Sequence, residues 1–154
     1  MTRRWCVAAL FLAACGGGAG PAAVRPAGTA PEAVQGFMQA VADSNLDKMA
    51  ALWGTAKGPA GRTHEPQDYQ RRIAVMQAYL AHDDSRILSD TPELDLSRHA
   101  VQVQIRRQAC TWTVPFSVIK LTDGSWIVNQ VDLTAAGNPA RPCNPSAADS
   151  AAGN

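Results

Sequence analysis

Few residues in this chain have side chains suited to chemistry, and they are scattered. His82-Asp83-Asp84 sets an imidazole beside two carboxylates, the makings of an acid/base pair or a metal cluster; the same residues also suit the turn after a helix. His99 lies two residues before Val101 in an alternating stretch, so its imidazole shares the apolar side. There it is either a general base at a pocket mouth or a solvated histidine at a strand start. Asn129 falls within an apolar stripe and, once buried, must hydrogen-bond to a ligand or to backbone. Gly54-Thr55-Ala56-Lys57-Gly58-Pro59 has glycines and a lysine, but not in the Gly-x-x-x-x-Gly-Lys-Ser/Thr order that cradles phosphate. It reads as a plain connector or as a movable flap. Three scattered histidines and the two cysteines Cys110 and Cys143, with no paired spacing among them, do not make a metal site, and nothing in the sequence calls for a cofactor.

The elements that must position these residues follow from periodicity. Thr29-Ala30-Pro31-Glu32 has the Thr-x-x-Glu pattern of a capping box with proline in the first turn. Val34, Phe37, Met38 and Val41 continue it as one helix face. A short second helix is expected after Ser44-Asn45, carrying Leu46, Met49, Leu52 and Trp53 and closed by Gly54. Residues 54–66 read as a loop. A third helix is expected from about Gln67 to Ala81, with Tyr69, Ile73, Met76 and Leu80 on one side.

Beyond Ser85 the period changes to two. Val101, Val103 and Ile105 alternate with polar residues, and so do Trp112, Val114, Phe116 and Val118. Asp123-Gly124 between Leu121 and Trp126 predicts a two-residue type I′ hairpin. That turn would pair Lys120 with Ile127, Val118 with Asn129, Phe116 with Val131 and Val114 with Leu133. Trp112 and Trp126 would then lie on opposite faces, the outer one marking a surface where two copies pair sheet to sheet.

At the N-terminus, Arg3 and Arg4 precede an apolar run of nine residues, Trp5 to Ala13, and then Ala14-Cys15-Gly16. The run is too short to cross a bilayer core of ~30 Å but suits a signal peptide. The flanks of Arg3-Arg4 fit a twin-arginine signal poorly. Leu12-Ala13-Ala14-Cys15 resembles the lipobox of bacterial lipoproteins. That likeness implies cleavage before Cys15, acylation of the cysteine and attachment to a membrane. With Gly16 rather than aspartate next, it also implies the periplasmic face of the outer membrane. Loss of residues 1–14 removes Cys6 and leaves Cys110 and Cys143 as the other thiols, expected to form a disulfide in that compartment. It also leaves 12 basic against 13 acidic residues, a net charge of −1 that attracts no nucleic acid. Residues 15–28, nearly all Gly, Ala and Pro, read as a tether, 29–143 as one domain, and 144–154 as a tail poor in large side chains.

The order of elements, with Asn45-Leu46-Asp47, Leu52-Trp53-Gly54 and the Asp123-Gly124-Ser125-Trp126 turn, resembles the superfamily of nuclear transport factor, ketosteroid isomerase and SnoaL-like cyclases. The likeness covers about residues 30–134. It implies an α+β fold in which about three N-terminal helices cover a strongly bent antiparallel sheet, forming a cone. Such cones host enzymes and binding modules alike. Here the inward positions are aliphatic or aromatic except for Asn129, His99 and Arg107, and Asp132 has the opposite parity to Asn129. The expected function is therefore binding of a small apolar ligand or a protein partner, with His99, Asn129, Trp112 and Phe116 marking the pocket. The rival is an isomerase, dehydratase or cyclase using His99 or an acidic residue at the mouth.

Overall fold

The computed structural model describes residues 24–141 and Cys143. The signal segment, Cys15, most of the tether and the tail lie outside the described residues.

Helix α1 (Ala30–Ala42) begins as its sequence demands, because Thr29 Oγ1 accepts the Glu32 N–H at 3.3 Å. The Glu32 carboxylate reaches one residue past the box position and takes the Gly28 N–H at 2.9 Å. Val34, Phe37, Met38 and Val41 are all buried. Asn45 caps α2 (Leu46–Leu52) by accepting the Lys48 N–H at 2.9 Å. The segment expected to be a loop has structure of its own: β1 (Gly54–Thr55) pairs with β2 (Gly58–Pro59), and α3 (Ala60–Thr63) follows. Gly54 does not close α2. It sits where an added Cβ would lie 2.2 Å from the Gly58 carbonyl oxygen, so only glycine lets the two strands meet. Helix α4 (Tyr69–Leu80) turns Ile73, Met76 and Leu80 inward.

Strands β3 (Asp84–Pro92), β4 (Arg98–Arg107), β5 (Cys110–Lys120) and β6 (Trp126–Val131) form an antiparallel meander in that order, so the fold is α+β. The inner face of β4 and β5 carries Val101, Val103, Ile105, Val114, Phe116 and Val118, all buried against the helices. Among the described residues no helix is long and apolar enough to cross a membrane. The edge strand β3 is mostly exposed and bulges at Leu88, which blunts an edge otherwise open to pairing.

The β5–β6 register corrects the expected hairpin. Leu121 donates its N–H to the Ser125 carbonyl at 2.7 Å, closing a three-residue loop in which Gly124, at φ +85°, supplies the positive angle and Asp123 does not. Asp123 favours this form by accepting from the Ser125 N–H at 3.0 Å and from its hydroxyl at 2.6 Å. Near the turn the pairs are therefore Lys120–Trp126, Ile119–Ile127 and Val118–Val128. A bulge at Asn129 then restores Phe116–Val131, the one expected pair that forms, while Leu133 leaves the ladder to begin a 3-10 turn (Leu133–Ala136). This one-residue slip puts Trp126 and Val128 into the core rather than an isoleucine and a polar amide. Trp126 consequently shares the inner face with Trp112, and the tryptophan argument for sheet-to-sheet pairing lapses. Ile119, Leu121 and Ile127 form a small separate cluster.

The free edge of β6 is covered. Trp126 donates its N–H to the Ala27 carbonyl at 3.0 Å, and Trp53 bridges Val128 in parallel. Val24 packs against the core and Ala27 is buried, so the chain is taken up by the domain from Val24 rather than from Thr29.

At the other end, Cys110 and Cys143 form the expected disulfide, with their Cα atoms 5.9 Å apart. Gly137, at φ 69° and ψ 172°, carries the chain over Trp112. That region of backbone space belongs almost wholly to glycine. An added Cβ would also come 2.6 Å from Trp112 Nε1. Strain and overlap together should make Gly137→Ala cost ~2–4 kcal/mol. The check is a urea midpoint that falls without a change in m-value; an unshifted midpoint would show that the segment is not held against Trp112.

Candidate functional site

The four residues expected to mark a pocket are not brought together. Phe116 is core, its ring edge-on to Phe37 with centroids 6.3 Å apart. Trp112 lies under the Arg107 guanidinium, 5.1 Å from its ring. Arg107 in turn donates to the carbonyls of Tyr79 and Ala81 and so ties down the last turn of α4. Desolvation lowers the Arg107 pKa, with the Asp83 carboxylate opposing, but guanidinium remains charged throughout the accessible range. Asn129 is the extra residue of the β6 bulge, and its Nδ2 donates to the Gly54 carbonyl at 2.8 Å. Its amide holds the β1–β2 hairpin to the sheet.

His99 stands at the start of β4 with a partner that the sequence concealed. Its Nδ1 lies 2.6 Å from Asp90 Oδ1, and its ring meets Trp126 edge-on, centroids 4.6 Å apart. Lys120 Nζ approaches the same indole at 5.9 Å. Arg86 and Asp90 have the same parity, and Arg86 faces outward with Gln104, to which it donates at 2.7 Å. Only the bulge at Leu88 swings Asp90 to the inner side, opposite Val101. Neither Ser89 nor Leu88 announces that bulge. The other acid/base candidate is used locally: His82 Nδ1 contacts the Leu80 carbonyl at 2.8 Å, and Asp83 accepts the Gln108 N–H at 2.7 Å.

The space suited to a small molecule lies elsewhere. A cleft of about 680 Å³ runs between the segment Val24–Ala27, helices α2 and α3, the start of α4, and the β5–β6 turn. Leu46, Ala50 and Leu52 of α2, Tyr69 and Ile73 of α4, and Trp126 give it apolar walls. Leu46 is the one large apolar side chain of α2 left out of the core, at 43% exposure, and it borders this cleft. Arg25, Arg62, Asp47 and Asp123 also line it and bring both signs of charge. The Ser125 hydroxyl, then its amide, hold the Asp123 carboxyl below its usual pKa, and Arg62 adds to this. A volume of this size is that of a ligand site. Sequence reasoning missed it because two of its walls come from segments read as tether and loop. A second cleft of about 550 Å³, between α4 and the end of β6, contains Asn129 and Trp53. A third, of about 990 Å³, lies against Val24–Gly28, α1 and α2.

Among the described residues no polar or charged residue is buried. The inner face of the sheet is filled by side chains, and Asp90 and His99, at its rim, keep side-chain exposures of 27% and 18%.

No family model matches the sequence, and comparison with curated proteins and with solved structures finds no match.

Proposed function

We propose that this chain is a lipid-anchored binding module of the bacterial cell envelope, held on acylated Cys15 at the periplasmic face of the outer membrane. Its domain is of the nuclear transport factor type and takes a small apolar ligand in the cleft beside α2. The order of helix, short helix, hairpin, helix and four-stranded meander supports the fold assignment. The observation that carries the binding reading is the contrast between two spaces. The sheet's inner face is packed shut with aliphatic and aromatic side chains, while the cleft next to it leaves Leu46 exposed and Tyr69 half-exposed. Binding needs such a surface; acid/base catalysis needs a positioned proton carrier beside it.

Ala51 lines the cleft from a half-exposed site on α2, so Ala51→Phe projects a ring into the space without entering the core. The mature chain without its lipidated cysteine, residues 16–154, exported to the periplasm, should bind the apolar dye N-phenyl-1-naphthylamine at one per chain. Ala51→Phe should remove that fluorescence while leaving the circular dichroism spectrum unchanged. Dye binding that ignores Ala51→Phe would overturn the assignment of the cleft.

A second reading, acid/base catalysis at His99, draws on the 2.6 Å contact with Asp90. Neither residue lines the cleft, so His99→Ala should leave dye binding intact.

A further inference from the structure

We infer that the ligand of this cleft is an amphiphile of the adjoining bilayer carrying a dipolar headgroup, with its acyl chain against the apolar walls. The inference rests on the reading above, that the cleft binds an apolar ligand and that Cys15 carries the anchor. It draws on three observations.

The first is the wall nearest the anchor. Val24–Ala27 forms one side of the cleft and is also the start of the described chain, leading back toward Cys15. Val24 lies nine Cα–Cα steps from Cys15. At full stretch they reach no further than ~32 Å, about the ~30 Å thickness of one bilayer core. Wherever the domain turns, the cleft stays within one membrane thickness of the headgroups. A ligand drawn from that membrane has a short path; one from bulk solution gains nothing from the tether.

The second is the mixed character of the lining. Its apolar groups come from Val24, α2, α4, Leu121 and Trp126, and Arg25, Arg62, Asp47 and Asp123 add charge. A molecule with an apolar body and a polar end meets both kinds of group, whereas a wholly apolar one would leave the charged groups to water.

The third is the balance of those charges. Two guanidiniums and two carboxylates sum to zero, and Asp123 is kept ionised by Ser125. A zwitterionic headgroup meets a partner of each sign. An anionic one meets as many carboxylates as guanidiniums, so its attraction to one pair is offset by repulsion from the other.

The test displaces the dye from the mature chain with lysolipids below their micelle concentrations. Lysophosphatidylethanolamine should displace it, and glycerophosphoethanolamine, the headgroup without a chain, should not. Lysophosphatidylglycerol should need about tenfold more, the effect of one or two unmatched surface charges. Asp47→Lys, at an exposed position, makes the rim net positive and should shift the preference toward lysophosphatidylglycerol. Gln70→Phe, on the opposite wall, should abolish binding of dye and lysolipid together. Dye that binds but yields to neither lysolipid would overturn the inference and leave the binding reading standing. Displacement by both lysolipids at equal concentrations, unmoved by Asp47→Lys, would overturn the headgroup assignment. Failure of the parent chain to bind dye would overturn inference and reading together.

Discussion

Cys143→Ala is expected to lower the thermal midpoint of the oxidised protein by about 12–16 °C. The bridge spans a sequence separation of 33 residues. Closing a loop of that length removes about 3–4 kcal/mol of chain entropy from the unfolded state. For a domain of about 115 residues, each kcal/mol moves the midpoint by roughly 4 °C. The bridge also acts locally, joining the buried start of β5 to the segment that Gly137 carries over Trp112. Without it, that segment is held mainly by packing of the 3-10 turn. Melting curves by circular dichroism with and without reductant give the measurement, and the reduced parent should match Cys143→Ala. Cys110→Ala should cost more, because it also empties a buried position. A midpoint within 2–3 °C of the parent, well below the effect set by loop-closure entropy, would mean that the C-terminal segment contributes nothing to global stability.

Cys15→Ser is expected to move the protein completely from the membrane fraction to the soluble or unprocessed pool. Serine cannot form the thioether, and the anchor is lost as a whole. Each buried methylene contributes ~0.8 kcal/mol, so two or three acyl chains hold durably where a single one exchanges. Nothing in the described domain replaces them: the mature chain carries a net charge of −1 and offers anionic lipid no bulk attraction. Flotation of cell membranes, with mass determination of the N-terminal peptide, gives the result. A fully membrane-bound, processed Cys15→Ser protein would remove the anchor, and with it the proximity on which the ligand inference relies.

Much of this fold was legible because local chemistry and tertiary packing agree. Thr29 with Glu32, Asn45 as a cap, and the apolar residues of α1 and α4 state their roles within a few positions of sequence, and the structure keeps them. The alternation in β4 and β5 identified the inner face because its central positions, Val101, Val103 and Ile105 with Val114, Phe116 and Val118, are all apolar. The β5–β6 hairpin shows where such reading stops. Asp-Gly permits two turns, and the choice fell to Ser125, whose bonds to Asp123 favour the three-residue loop, and to the gain from burying Trp126 rather than Asn129. A period-two pattern carries no mark of a bulge, so the slip at Asn129 and the one at Leu88 were both invisible, and with the latter the pairing of Asp90 with His99. The cleft was illegible for a different reason. Its walls come from five separate segments, two of them rich in Gly, Ala and Pro, and side chains such as Leu46 and Tyr69 look like ordinary helix-face residues until the hairpin and α3 are set beside them.

The edge of β6 links the segment Val24–Ala27 to the rest of the cleft. Trp126 reached the inner face through the register slip, and its backbone N–H holds Ala27 while its ring borders both the cleft and His99. One residue thus joins the Val24–Ala27 segment, the cleft wall and the His99–Asp90 pair. Changes at the cleft should therefore be readable in its fluorescence.

Native mass spectrometry of the mature, unlipidated chain recovered gently from the periplasm bears most directly on whether the cleft is a ligand site. The expected spectrum shows a single chain carrying one amphiphile-sized adduct, which disappears in Ala51→Phe. A bare chain in both proteins, or an adduct that survives Ala51→Phe, would contradict it.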